Sequence, residues 1–402
     1  SVVGKLVATS KSGETNLLGF IKSDLEMEIH GHCDDRFSGV LKAFENNFEN
    51  NGDIGACFAA TLEGEYVVDI WAGHQDKAKT RPWQEDTIIN VYSTTKTMTF
   101  IVALMLADRG ELDLNAPVIK YWPEFGANGK EQVLVKHFLS HSAGLPGFSR
   151  PFTNEELYDW NFACADLAAQ ESWWEAGSQS GYHAITQGYL IGEVVRRITG
   201  KSFGTYFKEE VAEKIDADFH VGMDPKDFER IADQVEANET ADILEMDPDS
   251  IPGRVFSGLD ITPEKSTSTS GWRQAEIPAV NGHGNARSVV RAQTAMANGG
   301  KAFGVELLSE AGCRRALEPQ TDGADLVLGI PVTFGMGYAL RNESMPMGPN
   351  ENTLFWGGAG GSSIVVDMDS HLCLSYVMNQ MNKNIIGDPR GFSLAFALFD
   401  SL

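Results

Sequence analysis

Apolar residues at Phe37, Val40, Leu41, Phe44 and Phe48 recur at helical spacing within residues 36–50, which predicts a helix with one buried face. Gly52-Asp53 ends it. Residues 54–61 and 66–72, on either side of Glu63-Gly64-Glu65, read as the two strands of a hairpin. Helix followed by hairpin predicts a helix lying across an antiparallel sheet. Residues 87–92 are rich in β-branched and aromatic side chains and read as a further strand. Residues 98–107 are then apolar throughout, the mark of a helix buried on all sides.

Beyond residues 109–114, which close that helix, the signals turn mostly helical: residues 132–141, 154–170, 184–199 and 203–215. Gly200 separates the last two and fits a helix-terminating glycine. Residues 216–280 are irregular. Residues 247–270, rich in Pro, Gly, Asp, Ser and Thr, predict a long loop of the kind that serves as a lid. Short strand-like runs return at residues 335–341, 353–356, 362–366 and 372–378, with Asp367-Met368-Asp369-Ser370 as a hairpin turn, before a closing helix at 392–399. Residues 1–30 show no periodicity and are expected to form an extended arm. The layout predicts an α/β protein of the α+β kind, an antiparallel sheet flanked by helices with a helical insertion. Its expected division is a sheet domain from residues 1–92 and 281–402, and a mostly helical domain with lid-like loops from residues 93–280.

Composition adds limits. The 402 residues, 42% hydrophobic and 22% charged, suit a globular chain with a sizeable core. A formal charge of −24 argues against nucleic acid or an anionic membrane as partner. The five cysteines are spread out and never spaced C-x-x-C, so free thiols in a reducing compartment are expected. The first residues lack a signal-peptide pattern, and no apolar run approaches the ~20 residues of a membrane span, so a cytoplasmic setting is the expectation.

Candidate chemistry centres on Ser93-Thr94-Thr95-Lys96. A serine at a strand–helix junction, with lysine three residues on, places hydroxyl and amine on one helix face. S-x-x-K is expected about once by chance in a chain this long, so its partners decide its meaning. Tyr182, after the polar turn 177–180 and before a helix, is placed to project a phenol into a cleft. Trp356-Gly357-Gly358-Ala359, in a glycine-rich strand, permits close approach by a ligand and supplies a backbone N–H beside that of Ser93. Other patterns are set aside. Gly200-Lys201-Ser202-Phe203-Gly204 follows a helix where a nucleophile elbow needs a strand, so Ser202 reads as a helix cap. His137 and His141 lack the intervening glutamate of a zinc hydrolase and read as ordinary helix histidines; no metal or cofactor is expected.

The order of these parts resembles the serine β-lactamase and penicillin-binding superfamily, class C branch, and within it the family VIII carboxylesterases. Leu139-Ser140-His141-Ser142-Ala143-Gly144-Leu145-Pro146 and Gly110-Glu111-Leu112-Asp113-Leu114 are similar to stretches of that family, and the likeness runs from about residue 30 to the C-terminus. It implies a β-lactamase-like fold and a serine hydrolase acting on a small ester through an acyl-enzyme on Ser93. Lys96 and Tyr182 would be the general base and acid, and Ser93 and Ala359 would supply the oxyanion hole. Trp356, Gly357 and Gly358 would line the substrate. Tyr182-His183-Ala184 departs from the Y-[SA]-N motif of class C, and Trp356-Gly357-Gly358 stands where K-T-G would be. Efficient β-lactam hydrolysis is therefore not expected. Amide or peptide hydrolysis, acyl transfer and a non-catalytic scaffold stay open, as do oligomeric state and acyl-chain length.

Overall fold

The computed structural model describes residues 27–239 and 246–402. Most of the expected N-terminal arm, and residues 240–245 of the irregular stretch 216–280, lie outside the described residues. The main sheet begins with β1 (His30–Cys33), β2 (Gly55–Leu62) and β3 (Glu65–Gly73). A separate two-strand ladder, β4 (Ile89–Asn90) with β5 (His283–Gly284), and a small hairpin, β6 (Lys301–Ala302) with β7 (Val305–Glu306), lie outside that sheet. The sheet resumes with β8 (Thr321–Ala324), β9 (Pro331–Phe334), β10 (Ala339–Leu340), β11 (Thr353–Gly357), β12 (Ser363–Asp367) and β13 (Leu372–Met378). Its nine strands are antiparallel throughout, in the order β1-β3-β2-β13-β12-β11-β10-β9-β8. β2 pairs with β13, so segments from both ends of the chain meet at the centre of the sheet.

Side-chain alternation assigns the two faces. Cys57, Ala59 and Thr61 of β2 point toward the Ala286–Ala297 helix: Thr61 Oγ1 meets Thr294 Oγ1 at 2.9 Å, and the Ala286 N–H reaches the Cys57 sulfur. Phe58 points the other way, toward α1 (Ser38–Asn50) and the C-terminal helix Pro389–Phe399, which pack on each other. Through the ladder Trp356–Ile364–Ser375–Ala59, Trp356 lies on the Ala286–Ala297 face. Helix α2 (Lys96–Asp108) runs on that side, with every side chain from Lys96 to Leu106 buried. Burying its Phe, Ile, Leu and Met side chains contributes roughly 1.5–3 kcal/mol each, which anchors whatever its first turn carries.

Several expected elements came out shorter or broken. Residues 87–92 are not a strand of the main sheet: Ile89 and Asn90 pair with β5, Ile88 makes a lone parallel bridge to Ile231, and Tyr92 turns away at φ 46°. Such left-handed backbone in a non-glycine residue ends an extended run whatever its β-propensity. Of residues 132–141 only Val135–Leu139 are helical, and residues 154–170 split at Asp159, whose extended backbone caps the second piece, Trp160–Ala169. β10 keeps two residues of the expected 335–341. β8, β9 and the Ala286–Ala297 helix were not anticipated. β8 is exposed and carries a glycine, which mutes alternation, whereas the helix is opened by a side-chain box between Asn285 and Ser288. Gly200 does end the Thr186–Thr199 helix, at φ 73°, and Ser202 caps the next one by accepting the Thr205 N–H. All five cysteines are free thiols.

Candidate active site

Ser93 sits in a tight 3-10 turn, Tyr92–Thr95, that runs directly into α2. The turn is held from several directions. Ser362 Oγ donates to the Val91 carbonyl at 2.8 Å and meets Thr94 Oγ1 at 2.9 Å, while the Gly282 N–H donates to Thr95 Oγ1 at 2.9 Å. Ser93 is 5% exposed and Lys96 fully buried. One helical turn brings Lys96 Nζ to 2.9 Å from Ser93 Oγ, and the amine also reaches the carbonyls of Ala184 at 2.6 Å and Ala279 at 3.1 Å. Burial alone pushes its pKa well below that of an ordinary lysine. Nζ is thus ringed by three oxygen acceptors; with the amine neutral, as burial favours, two N–H bonds serve the carbonyls while the lone pair is free to face the serine hydroxyl.

Tyr182 comes from the loop before the Thr186–Thr199 helix and is buried. Its ring centroid lies 4.7 Å from Lys96 Nζ, and its hydroxyl accepts the Trp356 indole N–H at 3.3 Å. Burial raises the phenol's pKa far above its usual value, opposed by hydrogen bonding to Ser93 and Trp356. Ser93 and Lys96, one helical turn apart, are thus in contact with Tyr182, which lies much further along the chain. The bed beneath Tyr182 is made of His141, Phe334 and Trp356, with His141 4.9 Å from the tyrosine ring.

His141 lies past its helix, at φ 56°, so it is not the helix histidine expected. Its Nδ1 accepts the His183 N–H at 2.9 Å, which places its proton on Nε2. His183 in turn donates from Nδ1 to the Gly181 carbonyl at 2.6 Å and accepts the Leu145 N–H on Nε2. Burial holds His141 well below, and His183 down to about 3, so both are neutral struts under the Tyr182 loop. Neither bonds to Ser93.

On the opposite wall Trp356 and Gly357 end β11, and the chain turns through Gly358, Ala359, Gly360 and Gly361. Ala359 therefore sits in a turn beside the strand. A Cβ on Gly358 would lie 2.3 Å from the Val91 carbonyl oxygen and 3.1 Å from Ser93 N, so only glycine lets this backbone lie against the serine turn. Among the described residues the Ser93 and Ala359 N–H groups donate to no loop carbonyl, while the Gly358 N–H is taken by Ser362 O at 2.8 Å. Two contributors escaped the sequence reading. Ser362 is one polar residue in a run of small ones, and Asp325, whose carboxylate reaches the Tyr182 backbone, lies 143 positions away with no local pattern to mark it. Among the described residues no cluster of three or more His, Cys, Asp or Glu is placed to hold a metal.

A sequence profile of the Beta-lactamase family matches residues 44–394, and the chain belongs to that family. It is a serine hydrolase of the β-lactamase fold. An esterase/beta-lactamase of Mycobacterium tuberculosis, LipL, is 34% identical over 382 residues, 92% of this chain and 87% of that protein. The crystal structure of a family VIII carboxylesterase superposes with a TM-score of 0.87 at 39% identity, covering 94% of this chain and all (100%) of the other. A penicillin-binding protein homologue from Caulobacter crescentus gives the same TM-score, 0.87, at 35% identity over 93% of this chain and 100% of its own.

Proposed function

We propose that the chain is a carboxylesterase that cleaves short-chain esters through an acyl-enzyme on Ser93. The carrying observation is the buried Lys96 amine, 2.9 Å from Ser93 Oγ and held in place by the carbonyls of Ala184 and Ala279. In this reading the Lys96 lone pair takes the Ser93 proton as Oγ attacks the ester carbonyl. The C–O bond to the alcohol then breaks, and the proton passes through Tyr182 to the leaving alkoxide. Water enters by the same relay, Lys96 and Tyr182 drawing off its proton, and returns Ser93 with release of the acid. The developing oxyanion is received by the N–H groups of Ser93 and Ala359 at the positive end of α2. Trp356, Gly357 and Gly358 form the wall along which substrate lies. The near-complete burial of Ser93, 5% exposed, supports a short acyl chain, and Trp356 offers an apolar face where a β-lactam carboxylate would want a cation. Unpaired thiols and the acidic surface support a cytoplasmic setting, and no helix among the described residues is long and apolar enough to cross a membrane. The division into a sheet domain, 1–92 with 281–402, and a helical domain, 93–280, is part of the same proposal.

The test is a p-nitrophenyl ester series of increasing chain length beside one amide and nitrocefin, with the labelled residue identified after treatment with a serine-reactive phosphonate. Highest turnover on short esters and label on Ser93 are expected. Faster amide or nitrocefin turnover would overturn the ester preference, and label elsewhere would overturn the nucleophile.

The glycine wall gives a second expectation. Gly358→Ala should lower kcat by about 10²-fold, the order found when one oxyanion donor is lost, with little change in KM. Unchanged kcat would mean the Ala359 N–H does not serve the reaction.

A further inference from the structure

Asp325 is 1% exposed and lies on the connection between β8 and β9. Its Oδ1 accepts the N–H groups of Tyr182 at 3.0 Å, Val327 at 2.9 Å and Leu328 at 2.9 Å, and its Oδ2 accepts Ser180 Oγ at 2.7 Å. The Leu326 N–H closes the joint by donating to the Ser180 carbonyl at 2.9 Å. One carboxylate therefore organises its own turn and, across the fold, the loop that carries the candidate phenol. Such donors offset the cost of burying a carboxylate. No arginine or lysine side chain bonds to it among the described residues, so its charge is balanced by backbone and hydroxyl dipoles alone.

That leaves a negative charge behind Tyr182. The titratable groups facing the phenol are Lys96 on one side, the neutral His141 and His183 beneath, and Asp325 at its backbone. Burial is what chiefly keeps the phenol protonated, and Asp325 adds a smaller push in the same direction.

We propose that Asp325 is a positioning residue for Tyr182: its hydrogen bonds fix the loop that aims the hydroxyl at Ser93 as a proton donor. The inference rests on the Ser93–Lys96–Tyr182 reading. Its consequence concerns the leaving group. Expulsion of an alkoxide requires a proton, whereas p-nitrophenolate departs without one. A loosened Tyr182 therefore harms cleavage of alkyl esters far more than of p-nitrophenyl esters.

The test compares Asp325→Ala and the isosteric Asp325→Asn on an alkyl ester and a p-nitrophenyl ester of the same acid, alone and combined with Tyr182→Phe, with unfolding followed in parallel. Asp325→Ala should lose about 10- to 100-fold in kcat/KM on the alkyl ester, within the range of general acid catalysis, and several-fold less on the p-nitrophenyl ester. Asp325→Asn, which keeps the oxygen facing the Tyr182 N–H, should fall between wild type and Asp325→Ala. In the Tyr182→Phe background the Asp325 effect should vanish, as for two residues acting through one another. Equal losses on both esters, or an undiminished effect without the phenol, would overturn the proposal. Should Asp325→Ala fail to fold, Ser180→Ala, which removes only the 2.7 Å contact to Oδ2, must show the same leaving-group bias or the proposal falls. Failure of the underlying reading looks different: Tyr182→Phe itself would then leave the alkyl ester unaffected.

Discussion

Ser93→Ala should abolish ester hydrolysis, and Lys96→Met should come close to it, each lowering kcat by about 10⁴-fold or more, as found when members of a nucleophile–base unit are removed. The expectation comes from the geometry of the amine. Lys96 has no other function visible in its contacts: both carbonyls it touches orient Nζ, and its remaining direction is Ser93 Oγ. Without it the hydroxyl has no strong base within reach, since burial holds Tyr182 as a protonated phenol and His141 and His183 are engaged in other bonds and do not touch the serine. The double variant should be no worse than Ser93→Ala, because two parts of one step cannot be lost twice. Lys96→Arg should not rescue, since a guanidinium stays protonated. The same logic sets the pH response. Lowered proton affinity keeps Lys96 neutral over a wider range than an ordinary lysine, and activity should fall on the acid side as it protonates. Rates on a short p-nitrophenyl ester, with phosphonate labelling of each variant, check the set. A Lys96→Met enzyme within tenfold of wild type would require another base.

Much of this site was legible before the fold was known, because its pieces are local. Ser93 and Lys96 are one helical turn apart, and a buried helix behind them announces itself as an unbroken apolar run. Tyr182 and the glycines of 357–361 were marked by turn chemistry and by composition. What could not be read was everything that depends on meeting across the chain. Ala184 and Ala279 contribute carbonyls, which carry no side-chain signal at all. Asp325 resembles any acidic loop residue until its four donors are known. The segment before Ser93 misled for a related reason: residues 87–92 have strand propensity, but Tyr92 must turn at φ 46° to present the serine, and that tertiary demand overrides propensity.

The sheet's far face bears on the same loop, through a buried ionic cluster whose disruption should be the most destabilising change outside the site. Arg390 Nη1 donates to Asp53 Oδ1 at 2.7 Å and Nη2 to Asp388 Oδ2 at 2.7 Å, and Nη2 also reaches the carbonyls of Gln380 at 2.9 Å and Gly360 at 3.3 Å. Tyr376 adds a hydroxyl bond to Asp53 at 2.7 Å. Burial raises Asp53 to about 6 even against the pull of Arg390 and Tyr376, so at neutral pH the cluster holds two carboxylates around one guanidinium. Arg390→Met should therefore cost about 3–5 kcal/mol, the price of leaving buried charge without its partner, read from urea unfolding. The sign of the pH effect follows from the raised Asp53: its native form holds a proton more tightly than the unfolded chain does, so protonation favours folding. Losing Arg390 removes what lowers Asp53 and raises its pKa further, so the deficit of Arg390→Met should shrink as pH falls toward about 6 and level off below it, and adding Asp53→Asn should recover part of it at neutral pH. A loss under about 1 kcal/mol, the scale of an exposed pair, would show that the guanidinium is not what offsets those charges. Because Gly360 follows Ala359, any Arg390→Met protein that stays folded should also show a lower kcat, joining the stability of this cluster to the wall that faces Ser93.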